Sequence, residues 1–141
     1  MVISFFLPMI PPTVTHQEHE VKIRNGKPFF YEPPKLKAAR AKFMAMLAVH
    51  KPEKPMVGPV ELITDWTWPT EGKDVVLWKT TKPDTDNIVK LLKDCMTKIG
   101  FWKDDAQVCS EITEKFLASP PYVPGIRVVI KELHSEELAN D

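Results

Sequence analysis

Residues 86–99 constrain the fold most, because their apolar side chains recur at the period of an α-helix. A segment predicted to be a strand lies on each side of them. The apolar residues of this segment are Ile88, Leu91, Leu92, Cys95, Met96 and Ile99. Gly100 follows directly, at the position where helices commonly end. Alternating apolar residues predict a strand over residues 58–69, and residues 107–118 are also predicted to form a strand. This part of the chain is therefore predicted to be strand, helix, strand.

The remaining segments extend the pattern. Residues 2–7 predict a first strand, residues 35–49 a first helix and residues 125–133 a last strand. The order β-α-β-α-β-β predicts an α+β (mixed α/β) fold, with one mixed sheet of about four strands and two main helices. A length of 141 residues, 43% of them hydrophobic, suits a single domain over residues 1–141, with residues 132–141 as an acidic tail.

The charge is segregated along the chain although the net charge is zero. Nine lysines and arginines face two glutamates between residues 22 and 54, which gives 9 − 2 = +7. This stretch could attract DNA phosphates or could be a solvated helix face, and both interpretations stay open. No apolar run is long enough to cross a bilayer, and residues 1–12 lack the features of a signal peptide, so we expect a soluble, intracellular protein.

The sequence KPDTDN places two carboxylates, Asp84 and Asp86, directly before the second helix. In an extended chain these two side chains would share a face, where their repulsion would be relieved by a cation. Alternatively, an aspartate at this position caps free amide groups at the start of the helix, which is worth roughly 0.5–2 kcal/mol. One aspartate is enough for a cap, so the second one favours a metal site.

A second acidic pair, Asp104 and Asp105, follows the helix in the segment GFWKDDAQV. A helix of about fourteen residues is roughly 20 Å long and separates the two pairs, so either the loop must fold back or the following strand must return for Asp105 to approach Asp84 and Asp86. An ordinary turn is the alternative for this pair. Lys90, four residues after Asp86, is either an ion-pair partner of Asp86 or a cation beside a charged transition state.

Residues 82–108, KPDTDNIVKLLKDCMTKIGFWKDDAQV, resemble the RusA family of Holliday-junction resolvases. The resemblance implies that Asp84, Asp86 and Asp105 are essential metal-binding acidic residues and that Lys90 is a catalytic lysine. Asn87 and Asp104 match positions of the motif with supporting roles. The resemblance further implies a homodimer that uses Mg²⁺ or Mn²⁺ and cuts four-way DNA junctions by paired symmetric nicks. The neutral charge and an arginine-poor loop before Lys82 depart from the family pattern.

We therefore expect a metal-dependent, structure-selective endodeoxyribonuclease of DNA recombination and repair, acting in the cytoplasm and encoded by a bacterium, phage or prophage. We also expect the three carboxylates to converge. Two alternatives remain: a catalytically inactive nucleic-acid-binding module of the same fold, and a magnesium-dependent nucleotide phosphohydrolase. The inactive module would have a broken acidic set, and the set here is whole. The phosphohydrolase would need a nucleotide pocket, and the sequence has no glycine-rich phosphate loop.

Overall fold

The computed structural model describes residues 1–14 and 20–134 of the chain. The helices in these ranges are α1 (Pro34–Ala48) and α2 (Thr85–Ile99). The strands are β1 (Val2–Pro8), β2 (Glu20–Arg24), β3 (Lys27–Tyr31), β4 (Val60–Pro69), β5 (Val76–Trp78), β6 (Val108–Ala118) and β7 (Gly125–Glu132). A 3-10 turn, Asp105–Gln107, leads into β6. None of the described helices is long and apolar enough to cross a membrane.

Five strands form one mixed sheet in the order β1-β7-β4-β6-β5, and β2 and β3 form a separate hairpin. Neighbours in the large sheet are antiparallel, except for β4 and β6, which are parallel. Parallel strands require a crossover, and here β5 and α2 provide it. Because α2 returns the chain to the beginning of β6, its first residues lie near the end of that strand and its last residues near the beginning.

The core lies between one face of the sheet and the two helices. Alternate residues of β4 are buried, and these are Val60, Leu62, Thr64, Trp66 and Trp68. Phe43 of α1 contacts Trp66 with ring centroids 6.1 Å apart, and Leu91 and Leu92 of α2 are fully buried. Burying a side chain of this size contributes about 1.5–3 kcal/mol, so α2 is held firmly against the sheet.

The structure confirms the α+β fold class, the two helices and Gly100 as the left-handed residue after α2, at φ 106°. The sheet has five strands rather than about four, because residues 76–78 pair with β6 as the short strand β5. The β2–β3 hairpin was not predicted, although Asn25 and Gly26 both have positive φ, and Asn-Gly is the usual signal of such a turn. Residues 135–141 of the expected acidic tail lie outside the described residues.

Candidate functional site

The chain before α2 is fixed by a lysine of β6. The Lys115 ammonium donates hydrogen bonds to the backbone carbonyl oxygens of Thr81, at 2.8 Å, and Pro83, at 2.7 Å. Burial lowers the pKa of Lys115, nearby Lys79 lowers it further, and the Asp84 carboxylate opposes both effects. Lys115 therefore sets the position from which Asp84 starts the helix.

Asp84 and Asp86 lie together at the first turn of α2, and both are exposed. Asp84 is the N-cap residue, with extended φ −68° and ψ 148°, but its side chain makes no capping hydrogen bond. Asp86 is already helical, so only Asp84 has the extended conformation considered from the sequence. Because the capping role is not used by Asp84, its carboxylate is available for a ligand.

Lys90 and Asn87 lie on the same first turns of α2. Lys90 is exposed, and within residues 1–14 and 20–134 it forms no ion pair with Asp86. The Lys90 ammonium is thus not neutralised by the carboxylate four residues earlier. Asn87 is partly buried beside it.

A cleft of about 260 Å³ separates the start of α2 from β6. Its lining residues are Thr85, Asp86, Val89, Glu111 and Thr113. Glu111 forms an ion pair of 2.9 Å with Lys93 of α2. Glu111, the acidic residue that lines the cleft together with Asp86, was not predicted from the sequence. Its alternation with Thr113 and Lys115 along β6 was the available signal, since alternate strand residues share a face.

The first part of the segment GFWKDDAQV builds the core. Phe101 and Trp102 are buried, and the Trp102 indole Nε1 donates a 2.7 Å hydrogen bond to Thr97 Oγ1. The Met56 backbone N–H donates to the Phe101 carbonyl at 2.8 Å. These residues therefore anchor the end of α2 rather than carry chemistry.

Asp104 and Gln107 form the 3-10 turn by mutual capping. The Asp104 side chain accepts a 2.9 Å bond from the Ala106 N–H, and Gln107 Oε1 accepts from the backbone N–H groups of Lys103 and Asp104. Gln107 Nε2 also donates to the carbonyls of Met56 and Gly58. Asp104 is thus an ordinary turn residue, which was the alternative to a metal-binding role for this pair.

Asp105 differs from Asp104, because in the described part of the chain its carboxylate has no hydrogen-bond or ion-pair partner. It lies at the opposite end of α2 from Asp84 and Asp86, and a helix of 15 residues is about 22 Å long. Accordingly, no group of three or more His, Cys, Asp or Glu side chains among residues 1–14 and 20–134 could hold a metal ion. The structure brings Asp84, Asp86 and Lys90 to one end of α2 and leaves Asp105 at the other.

Comparison with known proteins assigns the chain to a family. The model of the family described as Endodeoxyribonuclease RusA matches residues 10–131. The chain is 32% identical over 123 residues to "Uncharacterized protein YqaN" of Bacillus subtilis (strain 168), which covers 79% of this chain and 84% of that protein. It is also 32% identical over 97 residues to "Crossover junction endodeoxyribonuclease rusA" of Lactococcus phage r1t, which covers 67% of this chain and 72% of that protein. The chain therefore belongs to the RusA family and is an endodeoxyribonuclease.

Proposed function

We propose that this endodeoxyribonuclease resolves four-way DNA junctions by paired symmetric nicks during recombination and repair, in the cytoplasm. The observation that carries the proposal is the pair of exposed carboxylates at the start of α2, Asp84 and Asp86, next to the exposed ammonium of Lys90; in the described part of the chain none of these three side chains has a hydrogen-bond or ion-pair partner. Junction resolution agrees with the name of the phage relative, a crossover junction endodeoxyribonuclease.

Asp84 and Asp86 have the oxygen ligands that a hard divalent cation such as Mg²⁺ or Mn²⁺ prefers. Such a cation, when bound, neutralises phosphate charge and lowers the pKa of water. Within one subunit, however, the third acidic residue of the proposed set, Asp105, lies beyond the opposite end of α2, a helix of 15 residues that is about 22 Å long. Among the described residues of one subunit, the three carboxylates therefore do not form a complete metal site.

Lys90 has a separate role in the proposal. In hydrolysis of a phosphodiester, negative charge develops on the phosphoryl oxygens and on the leaving oxygen while the bond to that oxygen breaks. A fixed cation stabilises this charge without reorganising during the reaction. Lys90 lies one helical turn after Asp86 and extends into solvent, where a phosphate of the DNA backbone can approach it. Asn87 and Asp104 are proposed to support this site, Asp104 through the turn that presents Asp105.

Two nicks in strands of like polarity require two sites, so we propose that the working unit is a homodimer. A two-fold protein presents identical sites to a two-fold junction through one isologous interface. The second cut then follows the first before the protein leaves the DNA.

The test of this function is cleavage of a labelled four-way junction beside a linear duplex of matched sequence. We expect Mg²⁺-dependent cutting of the junction, little cutting of the duplex and no cutting in EDTA. Asp86→Asn should remove cleavage, whereas Asp74→Asn, the same change at an exposed loop aspartate, should leave it intact. Equal cutting of junction and duplex, or an active Asp86→Asn variant, would contradict the proposal.

A further inference from the structure

The face of the sheet opposite the helices has a cleft of about 340 Å³, within the range of about 300–1,000 Å³ that small-ligand pockets occupy. Its lining residues come from all five strands of the large sheet and from the turn between β6 and β7. They include Phe6, Val76, Phe116, Tyr122, Asp65 and Arg127. None of these residues belongs to the site at the start of α2. The cleft is therefore a second candidate binding site on this chain.

Aromatic side chains form the walls of this cleft. Phe6 is 42% exposed, and its ring packs directly on the backbone of Gly125, where a Cβ would clash with the ring. Phe116 is stacked on Trp78 with ring centroids 4.8 Å apart, and Tyr122 is 51% exposed. Accessible aromatic rings of this kind are surfaces on which nucleobases stack. The walls of the cleft therefore suit a flat aromatic ligand.

Two opposite charges stand side by side in the cleft. Asp65 of β4 and Arg127 of β7 are directly opposite each other in the antiparallel pairing. In the described part of the chain neither side chain has an ion-pair or hydrogen-bond partner. The corresponding pair at the other end of the same two strands, Glu61 and Lys131, forms an ion pair of 3.9 Å. The charged groups of Asp65 and Arg127 are therefore available to a ligand that carries donors and acceptors side by side.

Guanine is the nucleobase whose edges match this pair of charges. Its N1–H and its 2-amino group are adjacent donors that a carboxylate accepts together, and its O6 and N7 are acceptors that a guanidinium binds with two hydrogen bonds. Adenine and cytosine have an acceptor nitrogen where the carboxylate requires a donor, and thymine has one N–H between two carbonyl oxygens. The combination of Asp65 and Arg127 therefore favours guanine over the other three bases.

The cleft and the proposed acidic site lie at the same end of β6, on opposite faces of the sheet. Phe116 lines the cleft, and its neighbour Lys115 holds the carbonyl of Pro83 on the helix side. Asp84 follows Pro83 directly, after a loop that leaves the edge strand β5 and exposes Lys82. A lysine at this edge can contact a phosphate of the DNA backbone. A DNA strand that crosses the edge can therefore place a phosphate at the acidic site and a base in the cleft.

We propose that this cleft binds one guanine base of the DNA substrate that is unpaired at the branch point. Asp65 and Arg127 bind the edges of the base, and the aromatic walls stack on its face. An unpaired base leaves the helical stack at less cost than a paired one, so the branch point is where such a base is available. The site makes the position of the cut depend on the sequence at the branch point. This role in cutting rests on the proposed junction-resolving function, whereas the affinity of the cleft for guanine does not.

Binding of short single strands tests the cleft without cleavage. The probes are labelled pentanucleotides of thymine with a central guanine, adenine, thymine or inosine, measured by fluorescence anisotropy in EDTA. We expect the guanine strand to bind about tenfold more tightly than the others, inosine included, because inosine lacks the 2-amino group that Asp65 accepts. Asp65→Asn and Arg127→Gln should each remove this preference. Glu61→Gln, a matched change on the same strand outside the cleft, should keep it.

Two further probes distinguish guanine in DNA from a free nucleotide. A four-way junction with one unpaired guanine at the branch point should bind more tightly than the same junction with an unpaired adenine. Free dGMP should bind more weakly than the guanine strand, because it lacks the neighbouring phosphates that Lys82 contacts.

Three results would overturn the proposal. These are no guanine preference in the wild type, a preference that survives both Asp65→Asn and Arg127→Gln, and dGMP binding as tight as that of the strand. Junctions without the preference that the strands show would overturn the role at the branch point. A guanine preference in a protein that cuts no junction would support the cleft and contradict only the proposed function.

Discussion

Replacing Gln107 with alanine should destabilise the fold and disturb the turn that presents Asp105. The side chain makes four hydrogen bonds: Oε1 accepts from two backbone N–H groups at 2.9 and 3.1 Å, and Nε2 donates to two carbonyls at 3.0 and 2.9 Å. Each bond is worth about 0.5–1.5 kcal/mol, and water replaces part of this in a partly exposed turn, so we expect a loss of about 2–3 kcal/mol. For a chain of this size the melting temperature should fall by about 7–10 °C.

Urea denaturation, monitored by circular dichroism, measures this loss directly. Gln107→Glu keeps the two acceptor bonds but turns a carboxylate toward the carbonyls of Met56 and Gly58, so it should be at least as unstable as Gln107→Ala. Lys103→Ala, an exposed change in the same loop, should cost less than about 0.5 kcal/mol. A loss below about 1 kcal/mol for Gln107→Ala would show that the turn is not held by this side chain.

Other predictions concern α2 and its end. Lys90→Ala should lose most junction cleavage in a gel assay but keep junction binding. The matched variant Lys98→Ala, on the last turn of α2, should keep both. Near-normal cleavage by Lys90→Ala would refute its catalytic role. Phe101→Ala should lower the free energy of unfolding by about 3–5 kcal/mol in urea, because the ring is fully buried. Burial raises the pKa of Cys95 to about 11 from 9.0. The contribution of the neutral Cys95 thiol to the free energy of unfolding should be present below pH 9 and lost as the pH rises toward 11. The Cys95→Ala variant should show a flatter dependence of stability on pH. In the folded protein iodoacetamide should label exposed Cys109 and not Cys95.

Much of the fold could be predicted from local sequence patterns, because each pattern depends on only a few residues that are close along the chain. The helical period of residues 86–99 and the glycine after it depend on backbone geometry within a few residues, and α2 ends at Ile99 as expected. The length of that helix argued against a close approach of Asp84 and Asp105, and the three carboxylates, which we expected to converge, form no cluster within the described residues of one chain. The sequence could not show which strand edges stay unpaired, because strand order depends on pairing between residues far apart in the chain.

The roles of the acidic residues could be separated only with the structure. Asp104 and Asp105 are identical neighbours in the sequence, yet one side chain caps the turn and the other has no partner in the described part of the chain. Likewise Asp84 occupies an N-cap position without capping. Glu111 was overlooked because a glutamate in an alternating strand is ordinary, and its place beside Asp86 follows from the packing of α2 on β6.

The most direct measurement of the central claim uses a supercoiled plasmid that extrudes a cruciform, which is a four-way junction in closed circular DNA. Two coupled symmetric nicks across the junction linearise the plasmid, whereas a single uncoupled nick relaxes it to an open circle. In Mg²⁺, the protein should convert the cruciform plasmid mainly to linear molecules with ends mapping to symmetric positions at the junction, and leave a plasmid without the inverted repeat intact. Accumulation of nicked circles without linear product, or equal cutting of both plasmids, would contradict the account.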